Sequence, residues 1–149
     1  MAFRLIVGFS VIWIVLGTVS AQKKSNIEYW VIGNQTGIEI IYENQLNNIF
    51  HGQVEYWGND LIAEVVLHKS NSVEGLKTAE LFYNGSIKNM QRFWLTVVFS
   101  GRARSPKYLE NHETIVDYVQ ATPGAIAIVF KQEGIEKLYI PLAKGKHGS

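Results

Sequence analysis

The stretch VVLHKSNSVEGL, residues 65–76, places a short polar turn between an apolar strand and the start of a helix. The first amides of a helix have no intrahelical acceptor, and the helix dipole adds about half a positive charge there. A phosphate or sulfate ion is stabilised at such a position without any special motif. Hydroxyl, amide and ammonium groups in the turn would add further donors. The stretch therefore predicts an oxyanion site formed by Lys69, Ser70, Asn71 and Ser72.

The same turn also fits a helix start that needs no ligand. With Asn71 as the N-cap, Glu74 falls at the third helical position and completes a capping box, whereas with Ser72 as the N-cap, Gly75 falls there. Such caps stabilise a helix by about 1 kcal/mol. Glu74 also brings negative charge close to the anion position, while His68 is a further source of positive charge. The residues leave both interpretations open.

No other part of the chain shows a pattern that predicts catalysis or metal binding. No serine lies in a nucleophile elbow, and no Gly-rich phosphate loop is present in the sequence. Asn111-His112-Glu113 is typical of helix capping, and the basic loop 101–110 is typical of a solvated loop. We therefore expect no catalytic residues, no enzymatic activity and no cofactor. We also expect no metal site, because the histidines lack ligand spacing: His51, His68, His112 and His147.

Strands and helices are predicted to alternate along the chain. Strands are expected where β-branched and aromatic residues run together, and helices where apolar residues recur every three or four positions. This order predicts an α/β sheet with helices on its faces, in which ligands bind at the carboxyl ends of strands. The turn after residue 67 lies at such an end. The predicted strands are 27–32, 38–42, 61–67, 125–130 and 137–142, the last at an edge, and the predicted helices are 43–50, 73–83, 87–99 and 111–121.

Residues 1–21 have the features of a secretory signal peptide. A basic start precedes the uncharged apolar stretch Leu5–Leu16, and Val19-Ser20-Ala21 fits the small-x-small cleavage pattern. An uncleaved anchor is the alternative, and we expect membrane contact only in that case. The remaining domain, residues 22–149, loses only Arg4 from 14 basic residues and so has 13 basic and 13 acidic side chains, which excludes a basic nucleic-acid surface. The lack of cysteine favours a bacterial periplasm.

Several segments, in this order, resemble the small periplasmic binding-protein-like domains related to the phosphate-binding component of ABC transporters. The family's I-F-x-G helix end is matched by Ile49–Gly52, and its tryptophan-containing turn by Tyr56–Asn59. Its F-W-x-x-x-V-F-x-G pattern corresponds to Phe93–Gly101, and its T-P-G-x-I-x-x-V segment to Thr122–Val129. The resemblance covers nearly all of residues 22–149. It implies a single α/β lobe, one half of a type 2 periplasmic binding protein, with a mixed sheet flanked by helices.

The resemblance implies a non-enzymatic binding or sensing module whose ligand is phosphate or another oxyanion. Full-length members clasp the ligand between two lobes and place an arginine, then S-G-T, where this chain has residues 68–72. The arginine, glycine and threonine are missing, and the chain is long enough for one lobe. The alternative function is therefore a structural or interaction component of an envelope assembly, such as a transporter, pilus or flagellar motor. Either function leaves a face for a partner protein or a second copy.

Overall fold

The computed structural model describes residues 26–143. The predicted signal peptide, residues 1–21, and the end of the chain after residue 143 lie outside these residues. The elements, in chain order, are β1 (Trp30–Gly33), β2 (Ile41–Tyr42), α1 (Glu43–Phe50), β3 (Glu64–His68), α2 (Val73–Phe82), α3 (Ile87–Phe99), β4 (Lys107–Leu109), α4 (His112–Ala121), β5 (Ala125–Val129), β6 (Tyr139–Ile140) and β7 (Leu142–Ala143).

The main sheet has five strands in the order β4-β3-β5-β1-β6, and β2 and β7 form a small second sheet. β3 lies parallel to β4 and β5, whereas β1 lies antiparallel to β5 and β6. Every residue of β5 is buried, as expected of a strand covered on both faces. The carboxyl ends of β3, β4 and β5 meet at one edge of the sheet, where α2 and α4 also begin. The predicted mixed α/β sheet is thus confirmed.

Helices cover both faces of this sheet, and successive side chains of a strand enter opposite cores. Val66 lies in the core beneath α4, and its neighbour Leu67 lies in the core beneath α1, α2 and α3. Trp94 of α3 lies in the larger core, beneath α1, α2 and α3, and Ile115 of α4 lies in the smaller core. The sheet is therefore the middle of three layers. The edge formed by the carboxyl ends of its parallel strands is the place where a binding site is expected.

Local capping residues set the helix boundaries. Ser86 starts α3, because its Oγ accepts a hydrogen bond from the Asn89 amide at 3.3 Å. Asn111 starts α4, because its Oδ1 accepts one from the Thr114 amide at 2.9 Å. α1 is followed by Gly52, whose φ of +66° lies in the left-handed region that favours glycine. These local signals explain why the predicted helices agree closely with the observed ones.

Buried hydrogen bonds join the helices of the larger core. The Tyr83 hydroxyl donates to the Phe50 carbonyl at 2.6 Å and accepts from the Trp94 Nε1 group at 2.9 Å. Burial raises the pKa of Tyr83 far above its ordinary value, so the phenol keeps its proton. Trp57 is also buried, and its Nε1 donates to the Gly124 carbonyl at 2.8 Å. The two tryptophans are therefore core residues whose polar atoms have partners.

The largest departure from the predicted elements is β4. Residues 107–109 were expected in a solvated loop, yet they pair with β3 at the end of the sheet. A strand of three residues with one neighbour has no periodic pattern that the sequence could show. The strand predicted at 61–67 begins only at Glu64, because the Leu61 carbonyl accepts a hydrogen bond from the Trp57 amide at 2.8 Å within a turn.

The other predicted strands are shorter than expected. The segment 27–32 forms a strand only from Trp30, and 38–42 only from Ile41, which donates its amide to the Pro141 carbonyl at 2.9 Å. The segment 137–142 is divided at Pro141, whose nitrogen has no hydrogen to donate. β6 lies at an edge of the main sheet, as Pro141 predicts.

Candidate functional site

The turn after β3 is held by hydrogen bonds around one carbonyl oxygen. Ser72 is the N-cap of α2: its Oγ accepts from the Gly75 amide at 2.9 Å and donates to the Lys69 carbonyl at 2.7 Å. A Cβ on Gly75 would lie 2.1 Å from that carbonyl oxygen, so the turn depends on glycine there. The capping box predicted from Asn71 and Glu74 is wrong, because α2 begins at residue 73 and Gly75 therefore occupies the third position.

The turn leaves several hydrogen-bond donors open. Among residues 26–143, no protein acceptor binds the backbone amides of Val73 and Glu74. The Ser70 hydroxyl oxygen accepts from Gln91 Nε2 at 3.2 Å, so its own proton remains a donor, and Asn71 is exposed. Two backbone amides, one hydroxyl and one side-chain amide, all from residues 70–74, thus lie at the carboxyl edge of the sheet. This is the donor set that binds an oxyanion at a helix N-terminus.

The charged side chains at the turn are net negative. Lys69 Nζ pairs with Glu110 Oε1 at 2.5 Å, and both side chains reach solvent. This hydrogen bond and the charge of Lys69 hold the pKa of the Glu110 carboxyl below its ordinary value. Glu74 adds a second negative charge, in the first turn of α2. An anion at the turn would therefore be attracted by the helix end and by Lys69, and repelled by the two carboxylates.

His68 is buried and contributes no positive charge to this turn. Its side chain is 1% exposed, and its ring centre lies 5.4 Å from that of Phe130. Burial lowers the pKa of His68 to about 4 against the opposing effect of Glu74, and His112 and Lys77 lower it further. The ring is therefore neutral at neutral pH. The prediction that His68 supplies positive charge to an anion is wrong, because burial keeps the ring neutral.

A groove of about 460 Å³ opens beside the turn, between α3 and β4. The turn and Gln91 form its polar end, and Leu95, Val98 and Tyr108 form much of its apolar wall. The sequence prediction missed this groove, because it assigned β4 to a loop. The sequence held one signal, since Leu95 and Phe99 are apolar and lie four residues apart on the same side of α3. The structure leaves both side chains more than half exposed.

Neither a metal site nor a membrane-spanning helix is found within residues 26–143. No three side chains among their histidines, aspartates and glutamates come together in a way that could hold a metal ion. None of their helices combines the length and the apolar character that crossing a bilayer requires.

No protein-family model matches the sequence, and no curated protein matches it. Solved structures match its fold. PstS from Borrelia burgdorferi superposes with a TM-score of 0.59 at 16% identity, over 79% of this chain and 48% of that one. A possible phosphate-binding protein from Planctomyces limnophilus gives 0.55 at 16% identity, over 79% and 42%. An ABC-type phosphate transport receptor from Vibrio cholerae gives 0.54 at 14% identity, over 76% and 45%.

These matches show the fold of the chain. It is one α/β lobe of the kind found in phosphate-type solute-binding proteins, and it spans less than half the length of each of the three. The family resemblance and the single-lobe fold predicted from the motifs are thus confirmed. Sequence identity of 14–16% indicates shared architecture and does not carry ligand residues from one protein to another.

Proposed function

We propose that this chain is an exported, non-enzymatic binding or sensing module that binds a small oxyanion weakly at the start of α2. One observation carries the proposal: the open amides of Val73 and Glu74 adjoin Ser70 and Asn71, in a fold shared with phosphate-binding proteins. Helix ends bind phosphate and sulfate through such amides. Lys69, at the other end of the turn, contributes the nearest positive side chain.

The affinity expected of this site is low. Asn71 is exposed and the Lys69 side chain reaches solvent, so a bound anion stays in contact with water and its attraction to Lys69 is screened. Pairing with Glu110 reduces that attraction further. We expect a dissociation constant in the millimolar range, about 4 kcal/mol of binding free energy. Ser72 supports the site by holding the turn rather than by donating to the anion, since its hydroxyl proton is directed at the Lys69 carbonyl.

The proposed compartment is the bacterial periplasm, reached through cleavage of residues 1–21. The support is the sequence of that segment, which lies outside the described residues, and the lack of cysteine. N-terminal sequencing of the exported protein should begin at residue 22. A retained Met1 would replace this proposal with an anchored protein.

Calorimetry with phosphate and with sulfate, in chloride buffer at low and high salt, tests the proposed ligand. Binding heat is expected at millimolar anion and should weaken with salt. Lys69→Ala and Asn71→Ala should each weaken the affinity several-fold. Lys88→Ala is the matched control, because Lys88 is an exposed lysine in the first turn of α3. No heat at millimolar anion, or an affinity unchanged by both substitutions, would refute the site.

A second substitution separates charge at this turn from general effects of charge. Glu110→Gln removes the carboxylate that pairs with Lys69 at 2.5 Å, so phosphate should bind several-fold more tightly. Glu113→Gln is the control, because Glu113 pairs instead with Lys131, at 3.6 Å. Equal effects of the two substitutions would mean that the anion responds to overall charge and not to the turn.

We also propose an alternative function, an interaction component of an envelope assembly that reuses the fold without binding solute. The exposed apolar side chains of Leu95 and Phe99 favour it, at 58% and 87% exposed. Such a component should co-purify with a partner or associate with itself. Affinity purification from envelope extracts and light scattering test this function. A monomer that co-purifies with no partner would contradict it.

A further inference from the structure

β4 is the end strand of the main sheet, and one of its residues directs its backbone outward. The Leu109 carbonyl accepts from the Lys69 amide at 2.8 Å, so Leu109 faces β3. In a parallel pair of strands, each residue directs its N–H and C=O to one side, and successive residues alternate between the two sides. Tyr108 therefore presents its N–H and C=O away from β3, and no strand among residues 26–143 pairs with that side. An unpaired edge of this kind is a template for another extended chain.

The groove beside this edge supplies an apolar surface for the side chains of such a chain. Leu95 and Val98 of α3 line it together with Tyr108, and its volume is about 460 Å³. Phe99 continues the same side of α3 and is 87% exposed. In recognition by strand addition, the backbone supplies affinity and alternate side chains enter pockets that supply specificity. The α3 wall provides the surface for every second side chain.

Exposed cations lie on β4, on α3 and in the loop between them. Lys107 of β4 is exposed and lies over the Tyr118 ring of α4, on the face of the sheet opposite the groove. Arg92 of α3 and Arg102 of the loop are exposed as well. Within residues 26–143, the ion pairs are Lys69 with Glu110 and a pair beside α4, so none of these three cations has a carboxylate within 4.0 Å. The face of β4 opposite the groove is therefore complementary to acidic side chains.

We propose that the β4 edge and this groove bind an extended segment of a partner protein in which acidic and apolar residues alternate. The segment adds as a strand beside Tyr108, directs its apolar side chains onto Leu95 and Phe99, and directs the alternate acidic ones to the opposite face, where Lys107 lies. A second copy of this chain fits less well, because its β4 would bring a second Lys107 to that face. A lipid surface offers no backbone groups to the strand edge. The inference deepens the alternative function above and requires no oxyanion.

The test is a titration of the full chain with a blocked, fluorescein-labelled octapeptide in which glutamate and valine alternate, followed by anisotropy in oxyanion-free buffer. Saturable binding is expected. Leu95→Ser and Phe99→Ser should each weaken it at least fivefold. Leu76→Ser should leave it unchanged, because Leu76 is similarly exposed, at 53%, but belongs to α2 and does not line the groove. All three side chains are exposed, and circular dichroism verifies that the variants fold.

Two altered peptides separate the contributions of charge and backbone. Exchange of glutamate for lysine should weaken binding at least tenfold, because the peptide would then bring positive charge to the face that carries Lys107. N-methylation of alternate residues should do the same by removing the amides that pair with Tyr108. Equal affinity for either altered peptide would overturn the proposal. It would also be overturned by binding to phosphatidylglycerol vesicles that the peptide does not compete with, or by a dimer that Phe99→Ser dissociates.

This inference can fail separately from the function on which it rests. If a partner co-purifies with the chain and Leu95→Ser and Phe99→Ser leave that complex intact, the interaction function stands and the proposed surface is wrong. If the peptide binds as expected, the surface stands whether or not phosphate calorimetry shows heat, because the titration buffer contains no oxyanion.

Discussion

His68 should make the stability of this fold depend on pH, because its buried ring resists protonation. The side chain is 1% exposed, and neither ring nitrogen has a hydrogen-bond partner among the described residues. The titratable groups that act on it are Glu74 and Lys77 of α2 and His112 of α4. Burial outweighs the favourable effect of Glu74 and lowers the pKa of His68 from 6.5 to about 4.

The sign follows from which state binds the proton first. As pH falls below 6.5, the unfolded chain takes up a proton at His68 while the folded chain does not, so stability decreases until the pH reaches about 4. The difference, 6.5 minus about 4, is about 2.5 pKa units. At 1.36 kcal/mol per unit, the full loss is about 3 kcal/mol, and about 2 kcal/mol of it has occurred by about pH 5.

Urea unfolding followed by tryptophan fluorescence measures this loss in the wild type and in His68→Phe. Between about pH 7.5 and about pH 5, the unfolding free energy of the wild type should fall by about 2 kcal/mol more than that of the variant. Carboxylate titration and any constant packing effect of phenylalanine cancel in this comparison. His51→Gln is the control, because the His51 ring is only partly buried and bonds the Asn47 carbonyl at 2.7 Å. Parallel pH profiles for wild type and His68→Phe would refute the reasoning.

Three further substitutions test the turn and the larger core by urea unfolding. Gly75→Ala should destabilise the fold by about 1–3 kcal/mol although alanine favours helix, because its Cβ would lie 2.1 Å from the Lys69 carbonyl oxygen. Gly58→Ala, with no atom within 4 Å of the new Cβ, is its control, and equal stability of the two variants would contradict the steric argument. Ser72→Ala should lower stability by about 1 kcal/mol through loss of the N-cap, and an unchanged midpoint would mean that another group caps α2. Tyr83→Phe should cost about 3 kcal/mol, because both buried partners of its hydroxyl lose their hydrogen bonds, and a loss below about 1 kcal/mol would imply that water replaces it.

Local signals in the sequence predicted the helices because those signals lie within or next to each helix. α1 spans Glu43–Phe50, as predicted from the spacing of its apolar residues, and Gly52 follows it in a left-handed conformation. Ser86 and Asn111 cap α3 and α4. Each of these features depends on residues within four positions of one another, so the sequence alone is sufficient.

The candidate site was predicted in part. The polar turn lies between β3 and α2 as expected, and Ser72 is one of its two predicted caps. The choice of Ser72 over Asn71 depends on hydrogen bonds to the Lys69 carbonyl, whose position the folded turn sets. The groove was missed because one wall is β4, and a strand of three residues is stabilised by its pairing with β3 rather than by its own pattern.

By itself, the sequence determined the α/β class, the four helices and the position of the donor-rich turn at the start of α2. These properties arise from periodic burial and from contacts between near neighbours in the chain. The tertiary structure alone decided the electrostatics and the surroundings of that turn: Lys69 pairs with Glu110, 41 residues away, and His68 is buried against Phe130. Strand order and register bring such distant residues together, and neither leaves a local pattern in the sequence.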